Sequence, residues 1–511
     1  MTETNPAEPE LSELQRVRLD KVHEFRADGV EPYPTRSSRT HTSAQAIDLF
    51  ESDEGEGAAE HHVTVGGRIA AIRHMGKTIF VQLRDGFGTI QLYLRKDEMG
   101  DDAFLAFLHR FDLGDWVEAS GTLFRTKTGE ISVRSSAVTM LAKSLNAPPD
   151  KYHGLQDIEL RYRQRYADLI ANIEVRRVFE IRARLITAFR EYLDSNGYLE
   201  VETPVLQPLY GGAAARPFTT HHNALDQTFY LRIADELYLK RLIAGGFERV
   251  YEISKDFRNE GVDKNHSPEF TMLEFYEAFA DYTTMMDRIQ GMLQLAAQKI
   301  FGGLVFESQG HLIDLGGEWP RKSLRQAILD GSGVDYAIYP DQPSLLAAAR
   351  AAGTNVESDT VWPRIVDELL KQFVRPFLVQ PTFLVDYPVE LSPLAKRKSD
   401  DPTHAERFQL YIAGAELANS FTELNDPIDQ WVRFTEQQKD KDAGDQDAMP
   451  IDMDFINALM YGMPPTGGLG IGIDRAAMVF ANQSTIRDVI LFPAMRNLPS
   501  APGEADDAGS E

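Results

Sequence analysis

The sequence predicts an α+β protein in which a small β-barrel domain precedes a larger domain of strands and helices. Short β-rich runs separated by turn residues fill the stretch from about His61 to Leu141. From Ile158 onward, helical spacings of apolar residues alternate with strand-like runs. The chain of 511 residues and 57.4 kDa exceeds what one hydrophobic core usually organises, so we expect more than one domain.

Composition and charge exclude several classes of protein. The chain has 53 basic and 78 acidic residues, a net charge of −25 and a pI near 4.9. This balance disfavours a generic nucleic-acid coat but allows a local basic face. The absence of cysteine excludes disulfides, thiol catalysis and cysteine-ligated metal sites. No apolar run is long enough to span a membrane, and the N-terminus lacks a secretory signal, so we expect a cytoplasmic protein.

Residues 1–60 are expected to be peripheral to the folded core. A helix is predicted from Leu11 to Gly29, and Gly29 would end this helix. Its basic residues fit either a solvated surface helix or a helix that faces RNA; they are Arg16, Arg18, Lys21 and Arg26. The stretch Glu51 to Glu60 is predicted to be an acidic, mobile loop, and residues 498–511 to be a disordered acidic tail.

The range 61–145 is predicted to be an OB-fold barrel. Five β-rich runs occur here, and a helical segment, Asp101 to Phe111, falls between the third and the fourth. That order is typical of the OB fold, which often binds single-stranded nucleic acid. A purely structural β-barrel is equally compatible with these runs. Residues 146–157 follow as a linker, since prolines there cannot continue a strand or helix.

The range 158–497 is predicted to be an α+β domain. Apolar residues recur at helical spacing from Glu174 to Asn196, and Gly197 ends this helix. An extended segment broken by Pro204 comes next. Strands are expected at 250–260, 268–280, 416–425 and 467–473, interrupted by a helical insertion at about 283–375.

Two β-rich runs between Glu248 and Phe279 carry side chains that suit a ligand better than a core. Because strand side chains alternate between faces, Arg258 and Glu260 share one face of the first run. In the second run, one face carries Phe270, Met272, Glu274 and Tyr276. An arginine can hold a phosphate bidentately and a phenyl ring can stack on a base. A solvated sheet face with ion pairs is the alternative.

Two further segments repeat this arrangement. Asn419, Phe421 and Glu423 would project from one face of a strand, with Glu416 just upstream. In a later strand the glycines alternate, so one face has no side chains and either a ligand or another strand must approach it closely. They are Gly468, Gly470 and Gly472, and Arg475 follows at the start of a helix.

These segments resemble the signature motifs of class II aminoacyl-tRNA synthetases, and in detail those of the lysyl-tRNA synthetase family. GYLEVETPVLQP resembles the first motif, FRNEG with HSPEFTMLEFYEA the second, and GLGIGIDR the third. Further phrases also match the family, among them RYRQRYADLI, GGAAARPFTTHHNALD, ELSPLAKR and SFTELNDP. The resemblance runs from about residue 15 to residue 497 and includes the OB domain.

The resemblance implies a catalytic domain built on an antiparallel sheet flanked by helices. It also implies a ligase that forms lysyl-adenylate from L-lysine and ATP with Mg²⁺, and then transfers the lysyl group to the 3′-terminal adenosine of tRNA(Lys). No side chain would form a covalent bond, so positioning and charge neutralisation would do the work. The first motif implies a homodimer, and neither DNA nor a membrane is an implied partner.

Residue roles carried over from the family divide between the two substrates. Arg258 would hold the α-phosphate, and Phe270 would stack on adenine with Arg475 on the other side; with Glu416, these arginines form the implied catalytic set. Glu260 and His266 would contact the nucleotide. The implied lysine-binding residues are Gly212, Glu236, Glu274, Tyr276, Asn419, Phe421 and Glu423. An ammonium group needs carboxylate and hydroxyl acceptors, and a pocket with Glu236 and Glu423 would repel aspartate, so lysine is favoured.

In the OB domain, the resemblance implies an anticodon reader. Phe80 would stack on a base, while Arg73, Gln91 and Glu130 match positions that read base edges. Three arginines after the linker would either support tRNA binding or be structural; they are Arg161, Arg163 and Arg165.

One departure from the family pattern concerns the metal. Family members place two acids seven residues apart to hold Mg²⁺ with ATP. Here Gln409 occupies the first position, and Glu416 remains as the implied metal ligand. A carbonyl oxygen lacks the charge that Mg²⁺ prefers, so we expect weakened magnesium affinity that Gln409→Glu would restore.

Two rival functions are compatible with the motifs. One is a synthetase-like enzyme that lysylates a protein, although such paralogues typically lack the OB domain. The other is a regulatory RNA-binding protein without catalysis, which only Gln409 favours, since Arg258, Phe270, Glu416 and Arg475 are present. Lysine-dependent exchange between ATP and pyrophosphate would separate the non-enzyme from the enzymes, and charging of tRNA against protein would separate the two enzymes.

Overall fold

The computed structural model describes residues 11–53, 60–149, 155–442 and 449–496. The predicted tail, 498–511, lies outside the described residues, as do residues 54–59 of the predicted acidic loop and 150–154 of the predicted linker. The first two residues of that loop, Glu51 and Ser52, are instead helical. The chain forms two compact units, Met1–Leu155 and Gln156–Glu511.

The first unit combines short helices with a β-sheet. Its elements, in chain order, are α1 Glu13–Ala27, α2 Ser43–Ser52, β1 His62–Met75, β2 Thr78–Arg84, β3 Thr89–Arg95, α3 Lys96–Met99, α4 Asp101–Arg110, β4 Trp116–Arg125, β5 Ile131–Ser135 and β6 Thr139–Ala142. The fifth predicted run is therefore two strands, β5 and β6. The predicted helical segment between the third and fourth runs is confirmed as α4.

The strand β1 closes the sheet of this unit into a ring. Its first half pairs antiparallel with β4, and its second half pairs antiparallel with β2. A bulge between Ile69 and Ala71 separates the halves, which bends the strand as bulges do. With the order β1-β2-β3-β5-β4, the ring has the connectivity expected of an OB barrel. Alternate residues such as Ile79, Val81 and Leu83 fill its core.

The predicted N-terminal helix is α1, and two of its basic residues contact other parts of its own unit. A capping box between Ser12 and Gln15 starts the helix, and Gly29 follows its end with a φ of +75°. Arg18 is buried and donates to the carbonyl oxygens of three residues in the barrel and the segment after it, Leu113, Ser144 and Asn146. Lys21 Nζ lies 2.8 Å from an Asp112 carboxylate oxygen. These two cations therefore hold α1 against the barrel.

The second unit contains the remaining elements. In chain order they are α5 Ile158–Arg163, α6 Arg165–Ala171, α7 Glu174–Ser195, β7 Leu199–Glu200, β8 Leu206–Gln207, β9 Thr219–His222, β10 Gln227–Leu231, α8 Glu236–Ala244, β11 Arg249–Phe257, β12 Glu269–Ala278, α9 Tyr282–Phe301, β13 Val305–Ser308, β14 His311–Asp314, β15 Arg321–Ser323, α10 Leu324–Ser332, α11 Gln342–Ala351, α12 Trp362–Phe373, β16 Thr382–Pro388, β17 His404–Ile412, β18 Ala415–Thr422, α13 Pro427–Asp442, α14 Met453–Met460, β19 Thr466–Gly472, α15 Ile473–Phe480 and α16 Ile486–Val489. Within the described ranges, none of the helices is long and apolar enough to cross a membrane.

One sheet organises this unit, with strand order β15-β16-β17-β18-β19-β12-β11-β7. Its centre, from β16 to β11, is antiparallel as the resemblance implies. The edge pairs β15–β16 and β7–β11 are parallel, so the whole sheet is mixed. The four predicted polar strands are β11, β12, β18 and β19. Two are shorter than predicted: β11 ends at Phe257, so Arg258 and Glu260 lie in the loop after it and not on its face, and β18 ends at Thr422, just before Glu423.

Helices cover one face of this sheet. The apolar stripe of α7 predicted from the sequence lies in the main core, where Leu185 and Phe189 are fully buried. Helix α9 packs beside it through residues such as Met285 and Ile289. Every second residue of the strands faces this core, and Phe275 is one of them. The opposite face of the sheet is thereby left for the polar residues.

The predicted helical region at 283–375 also contains the strands β13, β14 and β15, and its helices are divided between two cores. Helix α9, at its start, belongs to the main core that covers the sheet. By contrast, α10, α11 and α12 pack on each other around Ile328, Leu345 and Ile365, with Leu384 of β16 beneath them. Only the later part of the region is therefore separate from the sheet-covering layer.

Candidate active site and nucleic-acid interface

A pocket lies on the face of the main sheet opposite α7 and α9. Strands β12, β18 and β19 form its floor, and α8 and the loop after β11 form its walls. It brings together all of the residues predicted to bind ATP or the amino acid, namely Gly212, Glu236, Arg258, Glu260, His266, Phe270, Glu274, Tyr276, Glu416, Asn419, Phe421, Glu423 and Arg475. Residues more than two hundred positions apart in the chain thus share one cavity.

Strand alternation accounts for the floor of this pocket. Phe270, Met272, Glu274 and Tyr276 of β12 line it, whereas Leu273 between them is buried in the main core. The antiparallel pairing of β12 with β11 and β19 fixes which residues stand side by side. The predicted alternation of this strand is confirmed, with one face lining the pocket and the other in the core.

The glycines of β19 leave space for side chains that cross the floor. A Cβ on Gly468 would overlap the Glu423 carboxylate and the Tyr276 ring. Gly470 faces the Glu274 side chain at 3.6 Å from an ideal Cβ. The sequence left open whether a ligand or a strand approaches this face; at Gly468, acidic and aromatic side chains of neighbouring strands do so.

The cationic end of the pocket combines the second and third motifs. The Arg258 guanidinium lies 5.0 Å from the Phe270 ring centroid and donates to the Ile233 carbonyl oxygen. Arg475, at the start of α15, lies 3.2 Å from the Glu416 carbonyl oxygen and 3.4 Å from His266 Nε2. Two arginines and a histidine therefore line one end, as a polyphosphate requires.

The loop between β11 and β12 orients His266. The Asp263 carboxylate contacts His266 Nδ1 at 2.8 Å and accepts from backbone N–H groups of the loop. Burial raises the pKa of Asp263, but the hydrogen bonds from His266 and the backbone outweigh it, and the pKa is lowered overall. The ionised carboxylate fixes the ring with Nε2 toward Arg475.

The two candidate metal positions differ in what surrounds them. The Glu416 carboxylate lines the pocket, 3.8 Å from Arg475 Nη1, and is partly exposed. The Gln409 side-chain oxygen instead accepts hydrogen bonds from the hydroxyls of Tyr387 and Tyr411, each at 2.7 Å. Glu416 therefore fits a magnesium ion bound with phosphate. Gln409 does not fit, because its oxygen is already used by two donors.

The opposite end of the pocket is acidic. Glu236 and Glu423 are both almost fully buried. Their carboxylates flank the Lys240 ammonium, which is fully buried and lies 2.5 Å from Glu236 Oε1. Phe421 lies beside it, with the ammonium 5.3 Å from the ring centroid.

Glu423 is the least satisfied acid at this end. Among the described residues, no donor hydrogen-bonds to its Oε1, although that atom is buried. Burial raises the pKa of Glu423 well above its usual value; Lys240 opposes the shift and Glu236 adds to it. A buried carboxylate oxygen without a donor is costly and suits a cationic ligand group.

A second group of acidic side chains includes Glu274. Asp235, Asp256 and Glu274 each place a carboxylate oxygen within 4.8 Å of the others, and all three are buried. Burial raises the pKa of Asp256 to about 6, although Arg258 and Arg232 oppose the shift. Arg232 forms ion pairs with Asp235 and Asp256. Because this guanidinium supplies positive charge to the group, the three carboxylates are not assigned to a metal.

Two charged residues that contact predicted pocket residues escaped the sequence-based prediction. Arg407 of β17 donates to the Asn419 side-chain oxygen at 2.8 Å and so orients it. Strand alternation around Gln409 could have indicated it. Lys240 could have been found from its position one helical turn after Glu236, since such residues face each other.

An aromatic row lies on the barrel of the first unit. Phe80 and Tyr93 are paired across β2 and β3 with ring centroids 5.3 Å apart, and Phe124 continues the row at 5.2 Å from Tyr93. Arg134 covers Phe124, with its guanidinium 4.9 Å from the ring centroid. Three aromatic rings and an arginine on one face are suited to stacking with bases.

The predicted base-reading residues take different positions around this row. Arg73 is paired with Phe80 across β1 and β2, and it donates to the Gln91 side-chain oxygen at 3.1 Å. Gln91 is buried and donates to Ser132. Glu130 is exposed in the turn between β4 and β5. Tyr93, Phe124 and Arg134 were not predicted, although strand alternation could have indicated them.

The three arginines after the linker bind within their own unit. Arg165 is buried and pairs with Asp168, and Arg161 also lies 2.8 Å from an Asp168 carboxylate oxygen. Arg163 pairs with Glu159 and donates to the Arg496 carbonyl oxygen. Of the two alternatives from the sequence, the structural role accounts for all three contacts.

Two family models match the chain. Residues 63–141 match the OB-fold nucleic acid binding domain, which agrees with the closed ring of β1 to β5. Residues 157–496 match the tRNA synthetases class II (D, K and N). This second match covers the whole of the pocket.

Curated relatives are similar over nearly their full length. The chain is 54% identical to the lysine–tRNA ligase of Roseiflexus castenholzii over 490 residues, which is 95% of this chain and 99% of the relative. It is 52% identical to the lysine–tRNA ligase of Chloroflexus aurantiacus over 488 residues and 50% identical to that of Carboxydothermus hydrogenoformans over 487 residues. Both matches cover 95% of this chain and 99% of the relative. The pocket, the OB barrel and these matches together show that the chain belongs to the class II tRNA synthetases of the D, K and N group.

Proposed function

We propose that the chain is a lysine–tRNA ligase, which activates L-lysine with ATP and transfers the lysyl group to tRNA(Lys). The observation that carries the choice of amino acid is the buried Glu423 oxygen without a hydrogen-bond donor. With Glu236 nearby, it forms an end of the pocket that a lysine ammonium would satisfy. The carboxylate of aspartate would be repelled there, and the amide of asparagine would leave the charge uncompensated.

The opposite end of the pocket suits ATP. Arg258 would hold the α-phosphate, where a guanidinium can bind bidentately and offset the charge that develops during attack by the lysine carboxylate. Arg475 and His266, which lie 3.4 Å apart, would face the nucleotide together with Glu260. Phe270 would stack on adenine. The chain thereby contributes orientation and charge, and no side chain is needed as a nucleophile.

Glu416 would hold Mg²⁺ together with the phosphates of ATP. When bound, the ion neutralises phosphate charge and orients the pyrophosphate leaving group. We do not assign Gln409 to the metal, because Tyr387 and Tyr411 both donate to its oxygen.

The amino acid would extend from the ATP site to the acidic end. Glu274 and Gly212 would lie near its α-amino group, and the Asn419 and Phe421 side chains would flank its aliphatic stem. Tyr276 donates to Glu274 at 3.0 Å, which fixes that carboxylate for a second ammonium. A ligand with one ammonium at each end matches this distribution of carboxylates.

The barrel would read the anticodon of the tRNA. Phe80 and Tyr93 offer stacking surfaces, and Arg73 and Glu130 would contact base edges. Gln91 is buried and bonded to Arg73 and Ser132, so it would act by holding Arg73 in place. Each stacked base contributes roughly 1–3 kcal/mol, enough for recognition by an acidic protein.

We further propose that the enzyme is a cytoplasmic homodimer. The apolar stripe of α7 is used in its own core, so it is not the contact surface. Support comes instead from exposed apolar residues in the segments around α7, which are Ile158, Tyr166, Ile173, Leu199, Val205 and Leu206. An isologous interface would cover such residues. The absence of cysteine fits the reducing cytoplasm.

Amino-acid-dependent exchange between ATP and pyrophosphate tests the proposed function. We expect exchange with L-lysine and none above background with L-aspartate or L-asparagine. Charging of tRNA(Lys) should follow, with no lysylation of a protein acceptor. Exchange with aspartate, or its absence with lysine, would contradict the assignment of the acidic end. Lysylation of protein instead of tRNA would favour the rival enzyme.

A further inference from the structure

The two acids at the acidic end of the pocket already share a buried ammonium group, that of Lys240. Glu236 and Lys240 are one turn apart on α8 and therefore face the same side. The Lys240 Nζ is fully buried and lies 2.5 Å from Glu236 Oε1. It also contacts Glu423 Oε2, so it bridges the two carboxylates that we assign to the lysine ligand.

The charges at this end do not balance within the described residues. Two carboxylates, Glu236 and Glu423, face one ammonium, and Glu423 Oε1 has no donor there. The Arg407 guanidinium bonds to Asn419 and to the Leu391 carbonyl oxygen instead. Glu274 adds a third buried carboxylate to this end, and Tyr276 adds no positive charge. At least one further positive charge is therefore needed for neutrality.

The pKa shifts have the directions that a shortage of positive charge produces. Burial raises the pKa of Glu423 well above its usual value, with Lys240 opposing the shift and Glu236 adding to it. Burial lowers the pKa of Lys240, but Glu236 and Glu423 outweigh burial, so the pKa is raised and the group stays an ammonium. Burial raises the pKa of Glu236 as well, and Lys240 and Arg407 oppose that shift. The resident lysine is thus held as a cation between acids that remain short of positive charge.

We propose that Lys240 is a specificity-determining residue that neutralises one of the two carboxylates, so that the pocket accepts a side chain with a single positive charge. This inference rests on the proposed lysine pocket. With the ligand bound, two ammonium groups face two carboxylates, and the buried end is neutral. A pocket without Lys240 would hold a surplus negative charge beside the same ligand, which burial disfavours.

A purely structural role is the alternative, because a buried ion pair within one helix could simply hold α8 in place. The two roles differ in what happens when one acid is removed. If Lys240 only supports the fold, then replacing it in a Glu423 variant adds a second defect. If it balances charge, replacing it should repair the imbalance that the first change creates.

The test measures L-lysine binding to the full-length chain by calorimetry for Glu423→Gln, Lys240→Met and the double variant. Glu423→Gln leaves two ammonium groups against Glu236, and should weaken lysine binding by roughly thirtyfold or more, the usual effect of truncating one partner of a buried charge pair. Adding Lys240→Met restores one ammonium to one carboxylate. The double variant should recover binding to within about tenfold of the wild type, because exchanging a whole buried pair for neutral groups is nearly neutral.

Discrimination between L-lysine and L-norleucine provides a second readout. Norleucine lacks the ammonium, so the wild-type chain and the double variant should both prefer lysine. Glu423→Gln alone should lose most of this preference, since Lys240 already satisfies Glu236. A general loss of structure would lower the binding of both amino acids and would not shift their ratio.

Controls separate failure of this inference from failure of the proposed function. Lys371→Met removes a partly exposed lysine of α12 and should leave lysine binding unchanged. Thermal unfolding of each variant checks that the chain is folded. If the wild type does not bind lysine, or Glu423→Gln binds it normally, the lysine pocket is wrong. If Glu423→Gln binds weakly and the folded double variant binds no better, the role of Lys240 is wrong.

Discussion

At the scale of single residues, the side-chain oxygens of Glu416 and Gln409 are in different environments. Glu416 lines the pocket and is partly exposed near Arg475. Gln409 directs its oxygen at two tyrosine hydroxyls. Its sequence position alone suggested a weakened metal ligand that an acid would restore. The contacts indicate a hydrogen-bond acceptor that organises Tyr387 and Tyr411.

A magnesium titration of lysine-dependent pyrophosphate exchange tests this difference. Glu416→Gln should raise the magnesium concentration for half-maximal exchange by roughly tenfold or more, since it removes the charged ligand. Gln409→Glu should leave the titration nearly unchanged, because the new carboxylate would accept the same two hydroxyl hydrogen bonds.

The two variants change the two positions, seven residues apart, at which family members place their metal-binding acids, so their results can be compared directly. A lower magnesium requirement in Gln409→Glu would mean that the carboxylate leaves the tyrosines and reaches the ion. An unchanged requirement in Glu416→Gln would remove Glu416 from the metal site.

At the scale of elements, β19 has no side chains on one face, which leaves space for side chains from neighbouring segments. Gly468 is paired with Tyr276 of β12 and with Phe421 of β18. The missing Cβ leaves space for the Glu423 carboxylate and the Tyr276 ring. The alternating glycines therefore allow β12 and β18 to direct ligand-binding groups over β19.

Gly468→Ala should weaken lysine binding while the fold persists. The added Cβ must displace the Glu423 carboxylate or the Tyr276 ring, and such overpacking costs about 1–3 kcal/mol. The KM for lysine in pyrophosphate exchange should rise accordingly. Gly303→Ala is the matched control, because no heavy atom lies within 4 Å of its added Cβ. Normal lysine kinetics in Gly468→Ala would show that the two side chains can move without consequence.

The strand β2 supports a prediction for the barrel. Phe80→Ala should raise the KM for tRNA(Lys), because it removes a stacking surface that contributes roughly 1–3 kcal/mol of binding free energy. Lysine-dependent pyrophosphate exchange should be unaffected, since that reaction takes place in the other unit. Ile79→Ala is a contrasting variant, as Ile79 lies in the barrel core and should lower thermal stability. Loss of exchange in Phe80→Ala would show that Phe80 is needed for folding.

At the scale of the whole molecule, the exposed apolar residues around α7 are the surface that the proposed homodimer would cover. Leu206 is 47% exposed and lies in β8, close to Pro204 of the first motif. A charge placed there would be buried without a partner if two copies meet at this surface. A monomer would tolerate the same charge easily.

Light scattering should therefore give the wild-type chain a mass of twice 57.4 kDa. Leu206→Asp should shift the mass toward that of the monomer and lower exchange activity with it. Leu312→Asp is the control, because Leu312 is 67% exposed in β14 and lies outside these segments. A fully active wild-type monomer would remove the homodimer from the proposal.

The amino-acid sequence by itself determined the two-part fold and the faces of the central strands. Alternation along an extended backbone is a local property, so Phe270, Glu274 and Tyr276 could be placed on one face without a structure. Motif spacing then brought Arg258, Glu416 and Arg475 to the same site through the resemblance. Only the tertiary structure decided that Lys240 bridges Glu236 and Glu423 and that two tyrosines use the Gln409 oxygen. These contacts join side chains from separate strands and helices, and their distances depend on packing that periodicity along the chain does not specify.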